Sequence, residues 1–367
     1  MKEENYTCDI CHEEHDLSEL TYFDESYLCE ACLRRETFIC RDCGDRHWND
    51  DSADGDLCQT CYDEDYVRCE RCDAVIHYDD ACYHEDEEYH DHPYCRDCFD
   101  MDEIIHDYYY KPEPIFYGDG PRYLGVELEL DDGGENEFCA SKLLEIANNG
   151  CERMYIKHDG SLDDGFECVT HPMTLDYHIN QMPWRAILNK AVAKGYLSHQ
   201  AGTCGLHVHI SRNALGANYE EQEATIAKIL YFYEKFWNEI LTFSRRTESQ
   251  AEHWARRYGG GIINPKETLK HAKNSHMGRY AAVNLENEAT IEMRIFRGTL
   301  KYNTFIATLQ MVDEICKVAI SLSDEFMQGL TWLDFVKGIA DGKQELINYL
   351  KEKRLYVNEP IRNEVEI

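Results

Sequence analysis

What this chain of 367 residues lacks narrows its class before any motif does. No apolar run approaches the roughly 20 residues that span a bilayer, and the opening MKEENYTCDI has no charged-then-apolar leader. A reducing, cytoplasmic setting without a membrane partner is therefore expected. Basic charge is scarce, with 37 Lys and Arg against 71 Asp and Glu. The shortage is concentrated in residues 1–110, where 34 acids face 8 bases, while the remainder carries 37 acids and 29 bases. Binding to a phosphate backbone depends on Lys and Arg, so nucleic acid is disfavoured. A basic protein or peptide suits the acidic segment better, and a merely solubilising surface is the bland alternative. Four signatures are also missing: GxxxxGK[ST], HExxH, GxSxG and GxGxxG. Their absence disfavours P-loop kinases, zincin proteases, α/β-hydrolases and dinucleotide-binding enzymes.

Cysteine, by contrast, is abundant, with 18 in the chain. Six CxxC pairs fill the acidic segment: Cys8/Cys11, Cys29/Cys32, Cys40/Cys43, Cys58/Cys61, Cys69/Cys72 and Cys95/Cys98. Taken in order they form three four-thiolate sets, over about 8–32, 40–61 and 69–98. Both gaps between sets are 7 residues long, which marks a tandem repeat. In a reducing compartment such spacing predicts structural Zn2+ held tetrahedrally by two CxxC turns, with metal binding supplying the folding energy. Pairing between consecutive sets stays open, and His77, Cys82, His84, His90 and His92 are possible substitutes in the third. His15 and His47 read as surface residues. The remaining cysteines, Cys139, Cys151, Cys168, Cys204 and Cys316, read as small core residues.

Past residue 120 the pattern changes to strands that alternate with helices. In YLGVELELD, Glu127 and Glu129 share one face and Val126, Leu128 and Leu130 the other. GFECVTHP places Glu167 in the same way. GLHVHIS places His207 and His209, and ATIEMRIFRG places Glu292 and Arg294. Any one pair reads as surface decoration. Four strands with acids, imidazoles and a guanidinium opposite an apolar face read as a site for divalent ions and an anion. Helices are expected near 139–149, 174–194, 218–247, 304–322 and 342–353. Residues 245–279 hold eight Lys and Arg against three acids, and beside a Gly-Gly-Gly stretch they read as a lid over a polyphosphate or as a solvated loop. Arg256 and Arg257 are its candidate cofactor contacts. Acids for Mg2+ or Mn2+ and arginines for phosphate together point to metal-bridged ATP chemistry.

Four ordered motifs, GVELE, KHDGSLDDGFECVTHP, CGLHVHIS and GRYAAVNLENEATIEMRIFRGT, resemble the phage- and plasmid-type amidoligases of the carboxylate–amine ligase superfamily, over roughly residues 120–320. That resemblance implies an α+β, glutamine-synthetase-like fold: a curved antiparallel sheet with helices on one face. It further implies that Glu127, His207 and Glu292 bind one divalent ion and Glu129 and Glu167 another, with Arg279 and Arg294 on phosphates. Lys157, Asp159 and Ser161 become nucleotide or acyl-substrate contacts, Asn284 a matching polar position, and His209 a supporting neighbour. The implied activity is ATP- and magnesium-dependent amide formation between a carboxylate and an amine through an acyl phosphate. A phosphotransferase on the same fold and a non-catalytic zinc-dependent adaptor are the alternatives. The domain reading is a zinc array over 1–110, a linker over 111–120, a catalytic domain over 121–325 and a helical tail over 326–367. No oligomeric state is assigned.

Overall fold

A computed structural model describes residues 6–83, 92–99, 104–259, 264–275 and 277–357. The chain divides into two compact units, Met1–Asp102 and Glu103–Ile367.

The first unit repeats one small device. The first CxxC of each set occupies the turn of a hairpin, such as Cys8–Cys11 between Tyr6–Thr7 and Glu14–His15. The second begins where a strand runs into a short helix, as Cys29 ends Ser26–Cys29 and Cys32 lies in Glu30–Glu36. Equivalent backbone bonds close each hairpin turn: His12 N–H to Cys8 O, Gly44 N–H to Cys40 O and Asp73 N–H to Cys69 O, at 2.9, 3.0 and 2.9 Å. The donor has a positive φ in all three, 60°, 76° and 61°, although only one is glycine. Apolar burial is meagre, since Leu28 and Leu33 serve the first set and Leu57 the second. Thiol geometry must therefore carry the fold.

The second unit is built on a seven-stranded sheet. Its strands are β1 (Ile105–His106), β2 (Leu124–Leu130), β3 (Met154–Lys157), β4 (Phe166–Thr170), β5 (Leu206–Ser211), β6 (Val283–Asn284) and β7 (Thr290–Met293). Their order across the sheet is β1-β3-β4-β2-β5-β7-β6. Every pairing is antiparallel except β1 with β3, which is parallel. The sheet is thus mixed, a correction to the wholly antiparallel expectation. Its cause is β1, drawn from a segment read as lying before the linker. Residues 111–120 also pack onto this unit, with Tyr117 bridging to Met173 and Ile115 N–H donating to His171 Nδ1 at 3.2 Å.

One face of the sheet is apolar. Val126, Leu128, Val208, Ile210, Ile291 and Met293 are fully buried there, in one core with residues of helices α1 (Trp184–Ala193), α2 (Tyr219–Lys235) and α3 (Tyr302–Ser321). The helix expected over 218–247 breaks at Phe236, and a second helix runs Trp237–Ser244. No Pro or Gly causes the break; Phe236 packs edge-on against Phe232 and Trp332, so tertiary contacts override propensity. Pro183 likewise divides the 174–194 segment into Leu175–Asn180 and α1. The last described helices, Trp332–Lys337 and Gln344–Glu352, place Phe335 and Leu350 in the same core.

Candidate functional site

Within each cysteine set, the four sulfur atoms lie within 4.8 Å of one another, in the order Cys8/Cys11/Cys29/Cys32, Cys40/Cys43/Cys58/Cys61 and Cys69/Cys72/Cys95/Cys98. Pairing is sequential, not cross-braced. Cys11 and Cys29 Sγ are 3.9 Å apart and Cys72 and Cys95 Sγ 3.8 Å, close to the edge of about 3.8 Å that a tetrahedron with Zn–S near 2.3 Å requires. Burial opposes ionisation of Cys8 and Cys40, yet backbone N–H groups, including those of Cys29 and Cys58, bring both thiols down to about 6. Burial and neighbouring sulfurs push Cys32 up to about 12, so four thiolates coexist only around a cation. The sets are compatible with zinc. Of the substitutes considered for the third, His77 Nδ1 accepts from Asp79 N–H and His92 lies by Glu70, while His84 and His90 fall outside the described residues. His15 and His47 are half-buried against thiols: His47 Nε2 is 3.6 Å from Cys43 Sγ, and His15 clusters with Cys11 and Glu13. The shared CxxCxxxH spacing was the available signal.

In the second unit the strand registers align the polar residues in three rows. Lys157, Glu167 and Glu129 stand opposite one another across β3, β4 and β2. Glu127 faces His207, and His209, Glu292 and Asn284 form the third row across β5, β7 and β6. His207 is the junction. Its Nδ1 lies 3.4 Å from Glu127 Oε2 and 3.6 Å from Glu292 Oε1, and its Nε2 lies 3.7 Å from Glu129 Oε1. His209 Nε2 is 3.1 Å from Glu127 Oε1, and its Nδ1 is 3.2 Å from Thr290 Oγ1. Glu129, Glu167, His207 and Glu292 are at most 4% exposed.

Such crowding needs counter-charge. Glu292 accepts from Asn284 Nδ2 at 2.8 Å and from the Arg294 guanidinium. Glu167 pairs with Lys157 Nζ at 3.0 Å, and Glu129 accepts the Gly205 N–H. Burial works against ionised Glu127, but His209 and His207 outweigh it and hold the carboxyl well below the usual range. Burial and the charge of Glu127 push Glu167 well above it, with Lys157 opposing. Glu127, His207 and Glu292 offer ligand atoms within 4.8 Å of one another. Buried carboxylates and an imidazole, negative in sum, fit a divalent cation.

Lys157 is therefore Glu167's counter-ion, and Asp159 Oδ1 locks its own loop by accepting the N–H and hydroxyl of Ser161 at 2.7 and 2.5 Å. Arg279 donates to Tyr108 and to Tyr280 Oη, and the Tyr108 ring lies 5.6 Å from Lys157 Nζ. Tyr108 thus links the two, although its segment reads only as punctuation. Arg256 and Arg257 stand apart. Arg256 Nε donates to Glu252 O at 2.5 Å, and Arg257 is clamped on buried Glu234 at 2.9 and 3.0 Å, which ties α2 to the segment that follows the helix Glu248–Trp254. The expected lid's Gly260 and Gly261 lie outside the described residues. Burial pushes Cys204 up to about 12, as befits a core thiol. A cavity of about 740 Å³ opens where β5 ends and β7 begins, beside Arg212, Tyr219, Tyr258, Lys273, Glu286 and Glu288.

The geometry defines a sheet-borne centre of acids and imidazoles with guanidinium at its edge, facing away from the core. Residues 148–316 match the family model described as "Putative amidoligase enzyme", the family that the sequence motifs resemble. A ligase-type activity is what this match supports. It spans β3 to most of α3 and takes in Glu167, His207 and Glu292, while Glu127 and Glu129 precede it. No curated protein matches the chain. Among the described residues, no helix is long and apolar enough to cross a membrane.

Proposed function

We propose that the second unit is an ATP- and magnesium-dependent carboxylate–amine ligase with a glutamine-synthetase-like fold. The observation that carries this reading is the convergence of three carboxylates on buried His207, with Arg294 tethered to one of them. Glu127, His207 and Glu292 would hold one Mg2+ or Mn2+, and Glu129 and Glu167 a second. The cation supplies charge neutralisation at the phosphate oxygens. Arg294, fixed through Glu292, faces the same charge, and Arg279 approaches from the side of Tyr108. The substrate carboxylate attacks the γ-phosphate of ATP, breaking the bond to the β-phosphate oxygen and releasing ADP. An amine then displaces phosphate from the acyl phosphate, losing a proton, and leaves the amide. Positioning and charge stabilisation are the protein's part. The cysteine sets, closed by four sulfurs each, serve as structural zinc sites in a module that brings a basic protein or peptide to a cytoplasmic enzyme. Incubation of the full chain with magnesium-ATP, pooled carboxylates and pooled amines should yield ADP together with a condensation product detected by mass. ADP without an amide would make the protein a phosphotransferase, and no turnover that depends on Glu292 would end the enzymatic reading.

A further inference from the structure

Four arginines meet where the helix Trp237–Ser244 ends and the chain leaves β7. Arg245 adopts a left-handed conformation at the end of that helix (φ 68°), a position glycine usually fills. The two segments are zipped together. Arg297 N–H donates to Ser244 O at 3.1 Å, Arg245 Nη1 to Gly298 O at 3.0 Å and Arg246 Nε to Ile295 O at 3.0 Å. Arg245 Nη2 also donates to Arg297 O. Backbone carbonyls therefore occupy part of each fork in Arg245 and Arg246.

Other nitrogens at the junction have no acceptor. Arg245 Nε, Arg246 Nη1, Arg294 Nε and Arg297 Nε are buried nitrogens without a hydrogen-bond partner, and so is His199 Nδ1. Arg246 as a whole is only 6% exposed. Buried polar groups are almost always paired, and a cluster of orphaned guanidinium donors is where a missing ligand shows itself. Burial, opposed by Glu129 and reinforced by Arg294, Arg297 and Arg245, pushes the Arg246 guanidinium down to about 10. Burial, followed by Arg297 and Arg245, pushes His199 down to about 4. These basic groups thus feel one another across the junction, and Glu129 places its inner end beside the carboxylate centre.

We propose that Arg246 and Arg297, flanked by Arg245, Arg294 and His199, form an oxyanion site that takes a phosphate or carboxylate group. A guanidinium fork matches either in the plane of its N–H bonds, and an anion in this junction would satisfy donors that the protein leaves unpaired. The inference goes beyond the ligase reading and stands without it, because the donors need an anion whether or not an amide forms.

Calorimetric titration of the zinc-loaded full chain, without magnesium or nucleotide, tests the site with inorganic phosphate and, separately, with glutarate. Binding by the wild type should weaken at least tenfold in Arg246→Met and Arg297→Met and stay unchanged in Lys270→Met, which removes an exposed charge from the same basic segment. Arg297→Lys keeps the charge but loses the fork, and should also bind more weakly; it keeps the test open if Arg246→Met does not fold. Variant-sensitive binding of phosphate points to a nucleotide or released phosphate, and variant-sensitive binding of glutarate to a substrate carboxylate. Binding of neither anion by the wild type, or wild-type affinity in the folded variants, would overturn the proposal and leave the guanidiniums as struts between two segments.

Discussion

The two units handle buried charge in opposite ways. In the first, ionisable thiols are much of the interior: the set around Cys40 has Leu57 as its one buried apolar neighbour without sulfur. In the second, a large apolar core lies beneath the sheet, and the carboxylates and imidazoles stand on the other face. The ligands of the first unit are its fold, whereas those of the second are an addition to a fold already held by packing. Candidate metal-binding clusters of similar burial should thus have different consequences when they are lost.

Chelation should break the comparison open most widely. Structural zinc contributes on the order of 10 kcal/mol or more per site, so a strong chelator should unfold the first unit and leave the second intact. Limited proteolysis should then leave a fragment that begins near residue 103, and metal analysis should find the three sets reduced to two in Cys58→Ser. Loss of both units together would remove the distinction.

Glu292→Gln makes the converse test. ADP formation should fall by roughly 10²–10³, as expected when one preorganised charge is lost from a reacting centre, with the fold retained. An unfolded variant would mean that the polar face is as structural as the thiols.

A third test asks how acid reaches the second unit. His178 Nε2–H donates to Leu124 O at 3.0 Å, its Nδ1 accepts from Trp184 at 3.2 Å, and burial pushes it down to about 4. The folded state binds fewer protons than the unfolded chain between that value and about 6.5. Its contribution is therefore complete above about 6.5 and lost as pH falls toward 4, by about 3 kcal/mol. Four of the five tryptophans lie in the second unit, so denaturant midpoints followed by tryptophan fluorescence between pH 7 and 4.5 report it. A flat profile would contradict the assignment.

The smallest effect is expected from Arg256→Ala, which removes an exposed contact to Glu252. Stability should change by less than about 0.5 kcal/mol and ADP formation not at all. A large loss of nucleotide turnover would return Arg256 to the site.

The cysteine sets were legible because CxxC spacing dictates the turn, and the polar face because a period of two separates Glu127 and Glu129 from Val126 and Leu128. What stayed hidden depended on tertiary context. A two-residue strand such as Ile105–His106 has no alternation to read, so the parallel edge was missed. Phe236 is an ordinary helix residue until Trp332 packs against it. Arg246 and Arg257 look alike in a basic segment, yet one has an orphaned buried nitrogen while the other is clamped on Glu234. Tyr108 gains meaning only when the fold carries Arg279 to it.

Gly205 gives the centre an unusual separation of shape from charge. Its N–H serves Glu129, and a Cβ there would overlap Nε2 of His207, so the ring's edge rests against bare main chain. The imidazole's placement is set by an empty volume no larger than a methyl group. Filling that volume would be a purely steric lesion: every titratable group would remain, and only the ring at their junction would be displaced.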